Sequence, residues 1–255
     1  RFADFSNNAF LHSVSVANFR GYGLIHLEYL NYQGNGINST YHGVVQNFPS
    51  LKTLLLGYNN FGMNLSGLNV RESWNLTVLD LSFNGISEIP PDYFAGDYSL
   101  RQVNLTGNNV SHFDVDLSDL VNLELLNLSH NSIKTFSPPM RETLDTLTRQ
   151  NYSDRRLSVV LTGNLLSCEC KDLSFITWLM TTDVHINDLS DLTCQDSSKG
   201  VYNLGTLDVK GFEKKCMGNT RLIIMTAMST FVATVIVVSL VTVYCKRWKL
   251  RYWWY

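Results

Sequence analysis

Five cysteines carry the most definite chemistry in the chain. One residue separates Cys168 from Cys170, Cys194 and Cys216 follow after gaps of 23 and 21, and Cys245 stands apart. Four thiols can hold zinc or close two disulfides. Cys-x-Cys fits poorly with the two-to-four-residue gaps of zinc ligand pairs, and the chain organisation argued below puts these residues in an oxidising compartment. Two bridges are therefore expected among Cys168, Cys170, Cys194 and Cys216, with three connectivities open. Seven Asn-x-Ser/Thr sequons offer a second chemistry, N-glycan attachment, at Asn38, Asn64, Asn75, Asn104, Asn109, Asn127 and Asn151. Catalysis finds no support. There is no H-E-x-x-H, G-x-S-x-G or phosphate-binding loop, and Gly21-Tyr22-Gly23 lacks the third Gly of a dinucleotide fingerprint. The six His residues are scattered without ligand spacing, and His112 and His130 are of interest only as groups that titrate in an acidic compartment. No enzyme, metal or cofactor is expected.

The elements that position these residues are repeats. The chain holds 36 Leu and 24 Asn, an odd pairing, because Leu fills cores and Asn is costly to bury without partners. Five segments fit L-x-x-L-x-L-x-x-N-x-L, the leucine-rich-repeat signature. They are Leu27-Leu30-Tyr32-Asn35-Ile37, Leu51-Leu54-Leu56-Asn59-Phe61, Leu76-Leu79-Leu81-Asn84-Ile86, Leu100-Val103-Leu105-Asn108-Val110 and Leu123-Leu126-Leu128-Asn131-Ile133. Degenerate copies flank them at Ala3-Phe5-Asn8-Phe10 and at Val159-Leu161-Asn164-Leu166, the latter with Arg156 in the first Leu slot. The marker asparagines are thus Asn8, Asn35, Asn59, Asn84, Asn108, Asn131 and Asn164, evenly stepped except for the longer last interval.

The alternating x-L-x-L portion predicts a short strand with its leucines inward. Stacked units predict an α/β solenoid over residues 1–166 with a parallel sheet on its concave face. The expected strands are Leu30–Tyr32, Leu54–Leu56, Leu79–Leu81, Val103–Leu105 and Leu126–Leu128. The repeated Asn sits where the chain turns away from the strand and is expected to satisfy backbone groups of its own turn and the next. Ile86/Ile89/Phe94, Val110/Phe113 and Ile133/Phe136 are expected to fill the convex side. Leu and Asn are thus scaffold, and recognition falls to the residues between them: Glu28, Tyr29, Asn31 and Gln33; Lys52, Thr53, Leu55 and Tyr58; Thr77, Val78, Asp80 and Phe83; Arg101, Gln102, Asn104 and Thr106; Glu124, Leu125, Asn127 and His130. Glycans at Asn104 and Asn127 would stand on this concave face and hinder a protein ligand there.

Charge divides the chain in two. The net −2 is a body at 16 − 22 = −6 over residues 1–245 and a tail at +4 from Lys246, Arg247, Lys249 and Arg251. A mildly acidic body lacks the clustered basic footprint of a nucleic-acid binder, so nucleic acid is not indicated as a ligand, though not excluded. The stretch 222–244 carries no charge. As a helix it reaches roughly 34 Å, enough for a bilayer core of about 30 Å. The basic tail predicts a cytoplasmic C-terminus and an outward body, with Tyr244, Trp248, Tyr252, Trp253, Trp254 and Tyr255 as interfacial aromatics. The expected divisions are a cap and stalk at 167–221, a transmembrane helix at 222–244 and a juxtamembrane segment at 245–255. Cys245, at the membrane edge, is a reduced thiol or a palmitoylation candidate. Thr226, Thr230 and Thr234 line one face of the span as candidate helix–helix contacts, against the alternative that each bonds its own helix four residues back. The chain starts at Arg1 without Met or an apolar leader, so a longer parent protein is expected.

Gly163-Asn164-Leu165-Leu166-Ser167-Cys168-Glu169-Cys170, followed by Phe175 and Trp178-Leu179, resembles the C-terminal repeat cap of Toll-like receptors. The order of parts is similar too: irregular leucine-rich repeats, a long penultimate repeat containing Pro138-Pro139, a four-cysteine cap, then a membrane span. Arg247-Trp248-Lys249-Leu250-Arg251-Tyr252 is similar to the segment that precedes the cytoplasmic domain of those receptors. The resemblance implies pairing of Cys168 with Cys194 and of Cys170 with Cys216. It also implies a cytoplasmic signalling domain beyond Tyr255, through which adaptors would be reached. Two functions are then expected to compete. One is the ligand-recognising part of a single-pass innate-immune receptor, type I in the plasma or an endosomal membrane, dimerising on a microbial or protein ligand. The other is a leucine-rich-repeat adhesion or guidance protein without a signalling domain.

Overall fold

The structure is a computed structural model that describes residues 1–8, 24–37, 48–62, 65, 68, 70, 74–150 and 156–252, with side chains described for all of these except 24, 219–222 and 247–252. Two compact units result, 1–207 and 208–255.

In the first unit every repeat contributes one three-residue strand. These are β1 (Phe2–Asp4), β2 (Tyr29–Asn31), β3 (Thr53–Leu55), β4 (Val78–Asp80), β5 (Gln102–Asn104), β6 (Leu125–Asn127) and β7 (Ser158–Val160). They pair in parallel in sequence order, so the parallel solenoid expected from the repeats is present. Each strand lies one residue N-terminal to its expected span, because pairing centres on the middle Leu of the motif. The next leucine still joins the ladder: the N–H groups of Leu56, Leu81 and Leu105 donate to Asp80, Asn104 and Asn127 carbonyls at 2.8 Å. Leu30, Leu54, Leu79, Val103 and Leu126 are buried beneath the sheet. In the last repeat Leu157, and not position 156, enters the core, while Arg156 is exposed. The convex-side residues Ile86, Phe94, Val110, Phe113, Ile133 and Phe136 are buried, with Ile89 half-buried.

The marker asparagines form a ladder through the interior. Asn108 Nδ2 donates to the Leu81 and Leu105 carbonyls at 3.0 and 2.9 Å. Its Oδ1 accepts the N–H groups of Asn84 and Ile86, both at 3.0 Å. Asn35, Asn59, Asn131 and Asn164 repeat the pattern. One amide side chain thus satisfies the turn of its own repeat and that of the previous one, not the next one expected from the sequence, because both its donor and its acceptor reach back to the preceding turn. This is why a buried polar residue recurs in an apolar core. Asn84 Oδ1 alone breaks the pattern, buried without a hydrogen bond among the described residues.

The long step from Asn131 to Asn164 accommodates α1 (Pro138–Gln150). Two prolines suit a first helical turn, whose N–H groups lack intrahelical partners, and Ser137 Oγ accepts the Met140 N–H at 3.4 Å. Met140, Leu144 and Leu147, spaced four and three apart, form its buried face. Next come β8 (Leu165–Ser167), α2 (Leu173–Thr181), β9 (His185–Asn187), β10 (Thr193–Gln195) and β11 (Val201–Asn203). β9 pairs parallel with β7 as the eighth strand of the solenoid sheet, which no repeat motif announces. β8, β10 and β11 form a separate small sheet.

The second unit is one helix, α3 (Val209–Tyr252). Asp208 starts it, its Oδ1 accepting the Gly211 N–H at 3.1 Å. The helix therefore begins well ahead of the span expected from 222, so the end of the 167–221 segment is helical and includes Cys216. It also runs through 245–252 of the juxtamembrane segment. Its segment Val209–Lys246 is long and apolar enough to cross a membrane.

Candidate recognition surface and cap

Outward-pointing positions of β1–β7 and the residues beside them make a continuous surface. Of the positions expected there, all are exposed or half-buried except Asn31, which is buried. Asn31 Nδ2 donates to Asp4 Oδ2 at 3.2 Å, and its Oδ1 accepts the Gln33 N–H at 3.0 Å. The second of these bonds is part of a series. Asp4, Asn31, Asp80, Asn104 and Asn127 each close their strand by accepting the N–H two residues on, at 2.9–3.1 Å. The Ser6 hydrogen bonds hold the Asp4 carboxyl below its ordinary range.

Two ion pairs lie on this surface, while Asp80 accepts from the Gln33 amide at 3.0 Å. Lys52 Nζ lies 3.0 Å from Glu28 Oε2, and Arg101 Nη1 lies 2.6 Å from Glu124 Oε1. The Lys52 hydrogen bond, then its charge, lowers the Glu28 carboxyl. With these pairs neutralised, aromatic rings become the distinctive feature. Phe2 stacks on Tyr29 with centroids 4.3 Å apart, and Tyr58 on Phe83 at 4.5 Å. Tyr58 is 60% exposed and Phe83 42%. Phe83 lies over Gly107, whose φ of +70° and missing Cβ leave the room. On the edge where chains enter the strands, Trp74, 80% exposed, and Tyr98 occupy equivalent positions of successive repeats.

Four of the sequons fall on described residues. Asn104 and Asn127 are half-buried register partners on β5 and β6. Asn75 and Asn109 are exposed on the flanking edges, Asn75 donating to the Pro49 carbonyl at 2.9 Å. Asn38, Asn64 and Asn151 lie outside the described residues.

The cap is fastened to α1 by a polar clamp that the sequence reading did not reach. The Asp145 carboxylate accepts the Trp178 Nε1–H at 3.0 and 3.1 Å and the Thr182 hydroxyl at 2.6 Å. Arg141 Nη1 donates to the Ser174 carbonyl at 2.7 Å. An aromatic series runs beneath, from Phe113 to Phe136 (6.4 Å) and on to Phe175 (5.6 Å) and Trp178 (6.2 Å). The apolar spacing of Met140, Leu144 and Leu147 after Pro138-Pro139 was the available signal for this helix.

Cys168 is bonded to Cys194, with Cα atoms 5.4 Å apart. Cys170 and Cys216 are each disulfide-bonded, and Cys245 is a free, exposed cysteine on α3. At the far side of the cap the Asp196 carboxylate accepts from Ser198, Gly200 and Tyr202. These bonds, the Ser198 hydroxyl first, hold it below its ordinary range and raise the Tyr202 phenol. On α3 the Thr226, Thr230 and Thr234 hydroxyls donate to the Ile223, Ala227 and Phe231 carbonyls at 2.7–2.9 Å. The bonds reach three residues back rather than four.

An eight-stranded parallel sheet, an internal Asn ladder and a disulfide-bonded end define a leucine-rich-repeat solenoid with a C-terminal cap. The leucine-rich-repeat family profile matches residues 75–138. Toll-like receptor 4 of Pinctada imbricata is 27% identical over 80% of this chain, which covers 23% of that receptor. Transforming growth factor beta activator LRRC32 of Mus musculus is 28% identical over 79% of the chain and 32% of that protein. The crystal structure of human 5T4, the trophoblast glycoprotein, superposes with a TM-score of 0.60 at 22% identity, covering 81% of this chain and 84% of that one; it supports the fold alone. The chain therefore spans about a quarter to a third of the first two relatives' lengths. Its repeat domain is similar to that of Toll-like receptors over most of the chain, and its apolar helix is consistent with a single-pass membrane protein.

Proposed function

We propose that this chain is the ligand-recognising and membrane-spanning part of a Toll-like pattern-recognition receptor. Residues 1–207 face the outside or an endosomal lumen, and the basic end of α3 faces the cytoplasm. Ligand binding outside brings two copies together, and a signalling domain beyond Tyr255 engages adaptors. The observation that carries the reading is the order of parts: an irregular solenoid, a disulfide-bonded cap and one uncharged stretch followed by four basic residues. Pairing of Cys170 with Cys216 and glycosylation of exposed sequons belong to the same reading. The Thr226, Thr230 and Thr234 face adds only weakly to the dimer, because its hydroxyls already bond their own helix. Cys245 is the palmitoylation candidate on the cytoplasmic side.

A second reading, a cell-surface leucine-rich-repeat protein that holds partners without a signalling domain, is favoured by the match to a transforming growth factor beta activator. Two results decide between them. The reading frame that continues past Tyr255 should encode a signalling domain, whereas an immediate stop favours the second reading. At the surface of intact cells, added protease should digest residues 1–207 and spare a tag placed after Tyr255. In sealed microsomes, whose lumen corresponds to the outside, it should remove the tag and spare residues 1–207. The reverse protection overturns the orientation.

A further inference from the structure

Asn104 and Asn127 hold an unusual relation for two sequon asparagines. They are direct register partners on neighbouring parallel strands, so their backbones stand about 4.8 Å apart. Both close their strands in the same way, Oδ1 accepting from Thr106 N–H at 3.1 Å and from Ser129 N–H at 3.1 Å. Their side chains therefore leave the same face in parallel. Even the sequon hydroxyls are joined, Thr106 Oγ1 lying 3.0 Å from Ser129 Oγ. The face is the concave one, where side chains converge away from the sheet. Each glycan would begin with an acetamido sugar and then branch, and two such trees rooted one strand spacing apart would claim the same volume. Asp80 and Val160, the next register positions on either side, are not sequons, so the crowding falls between Asn104 and Asn127 themselves, one strand spacing apart on a face whose side chains converge.

We infer that Asn104 and Asn127 are alternative N-glycan sites: a folded molecule carries a glycan at one of them and not at both. The inference rests on the lumenal placement proposed above. One glycan then stands in the middle of the concave sheet, over β5 or β6, and a macromolecular ligand using this face is confined to the β1–β4 part.

The sequence supplies a clean test. After Arg101 the next Lys or Arg is Lys134, so trypsin releases Asn104, Asn109 and Asn127 on a single peptide. The full chain is purified from glycosylating eukaryotic cells, digested, and deglycosylated enzymatically in heavy-oxygen water, which tags each formerly occupied Asn. Peptides tagged at Asn104 with Asn109, or at Asn127 with Asn109, are expected, with joint tagging at Asn104 and Asn127 under a tenth of the total. A substantial jointly tagged fraction overturns the proposal. So do bare Asn104 and Asn127 beside a tag at any of the other five sequons, and in that case the lumenal reading survives. Seven bare sequons overturn the lumenal reading and the proposal with it. Asn104→Asp provides a second arm, since it removes the sequon while keeping the strand-closing acceptor, as Asp80 does one repeat earlier. Occupancy at Asn127 should rise to the sum of the two parental values, and an unchanged occupancy refutes mutual exclusion.

Discussion

Asp145 is the residue whose replacement should most cleanly separate the cap from the solenoid. Its carboxylate is the acceptor for two donors of the cap, the Trp178 indole N–H and the Thr182 hydroxyl. Trp178 is 9% exposed, so water cannot readily take over when the acceptor is removed. A hydrogen bond to a charged group contributes about 1.5–3 kcal/mol, and a buried donor left unmade costs about 1–3 kcal/mol. Asp145 is itself only part-buried, so the low end applies, and Asp145→Ala should lose about 2–3 kcal/mol. In a solenoid, stability is a sum of unit and nearest-neighbour interface terms, so the loss should stay local to α1, α2 and β9. Hydrogen exchange followed by mass spectrometry reads this directly. Amides of residues 173–187 should exchange roughly 30- to 150-fold faster, at about 1.4 kcal/mol per tenfold, while those of 76–105 are unchanged. Asp145→Asn retains one acceptor and should produce a smaller effect of about 1 kcal/mol. Acceleration of less than threefold in α2, or equal acceleration in both regions, would refute the clamp.

The Asn ladder predicts unequal costs for equal substitutions. Asn108→Ala strips partners from four buried backbone groups and should destabilise by more than about 3 kcal/mol, whereas Asn84→Ala, whose Oδ1 is unpartnered among the described residues, should cost less; denaturant melts of the two variants decide the order. Gly107→Ala puts a side chain at φ +70° and into the Phe83 ring, so it should cost at least about 1 kcal/mol and separate Phe83 from Tyr58, visible as altered ring-proton shifts. Asp196 titrates lower in the fold than in the unfolded chain, so its turn contributes fully above the ordinary carboxylate pKa of about 3.9 and loses that contribution as pH falls through the lowered folded value. The Gly200 amide resonance should therefore hold steady from pH 7 to about 4.5 and move only in stronger acid; movement between pH 7 and 5 contradicts the assignment.

How far the sequence reaches into the structure depends on whether a feature repeats. The sheet, the inward leucines and the role of the marker Asn were legible because each is specified several times at nearly constant spacing, and a single anomalous unit cannot hide the period. Strand limits slipped by one position because hydrophobic alternation marks which side chains face in, while pairing extends to whichever residues the neighbouring repeat presents. Irregular parts were illegible for the converse reason. α1 occurs once, in the long step between Asn131 and Asn164, and β9 joins the sheet without a Leu-x-x-Leu motif. Asn31 sits at an outward position by register yet is buried, its amide held against the Asp4 carboxylate of the neighbouring strand. The clamp lies further still from any local pattern, since Trp178 and Thr182 are 33 and 37 residues from Asp145.

The same distinction bears on recognition. The periodic positions are occupied by scaffold, and what differs between this solenoid and another is carried by the outward residues that obey no period. Here those residues spend their charge on one another, through Lys52 with Glu28 and Arg101 with Glu124. Two sequons stand over β5 and β6, while the exposed rings of Tyr58 and Phe83 lie just beyond β3 and β4 and the half-buried Tyr29 ring lies on β2. Only Asp4 and Asp80 remain without an ion pair there among the described residues, so a partner drawn by long-range electrostatics would meet a weakly acidic surface. A partner that buries aromatic rings meets them on the repeats before β5. If one of Asn104 and Asn127 carries a glycan, the two halves of the sheet differ in kind, one open and aromatic, the other covered by sugar, and ligand contacts should map to the first.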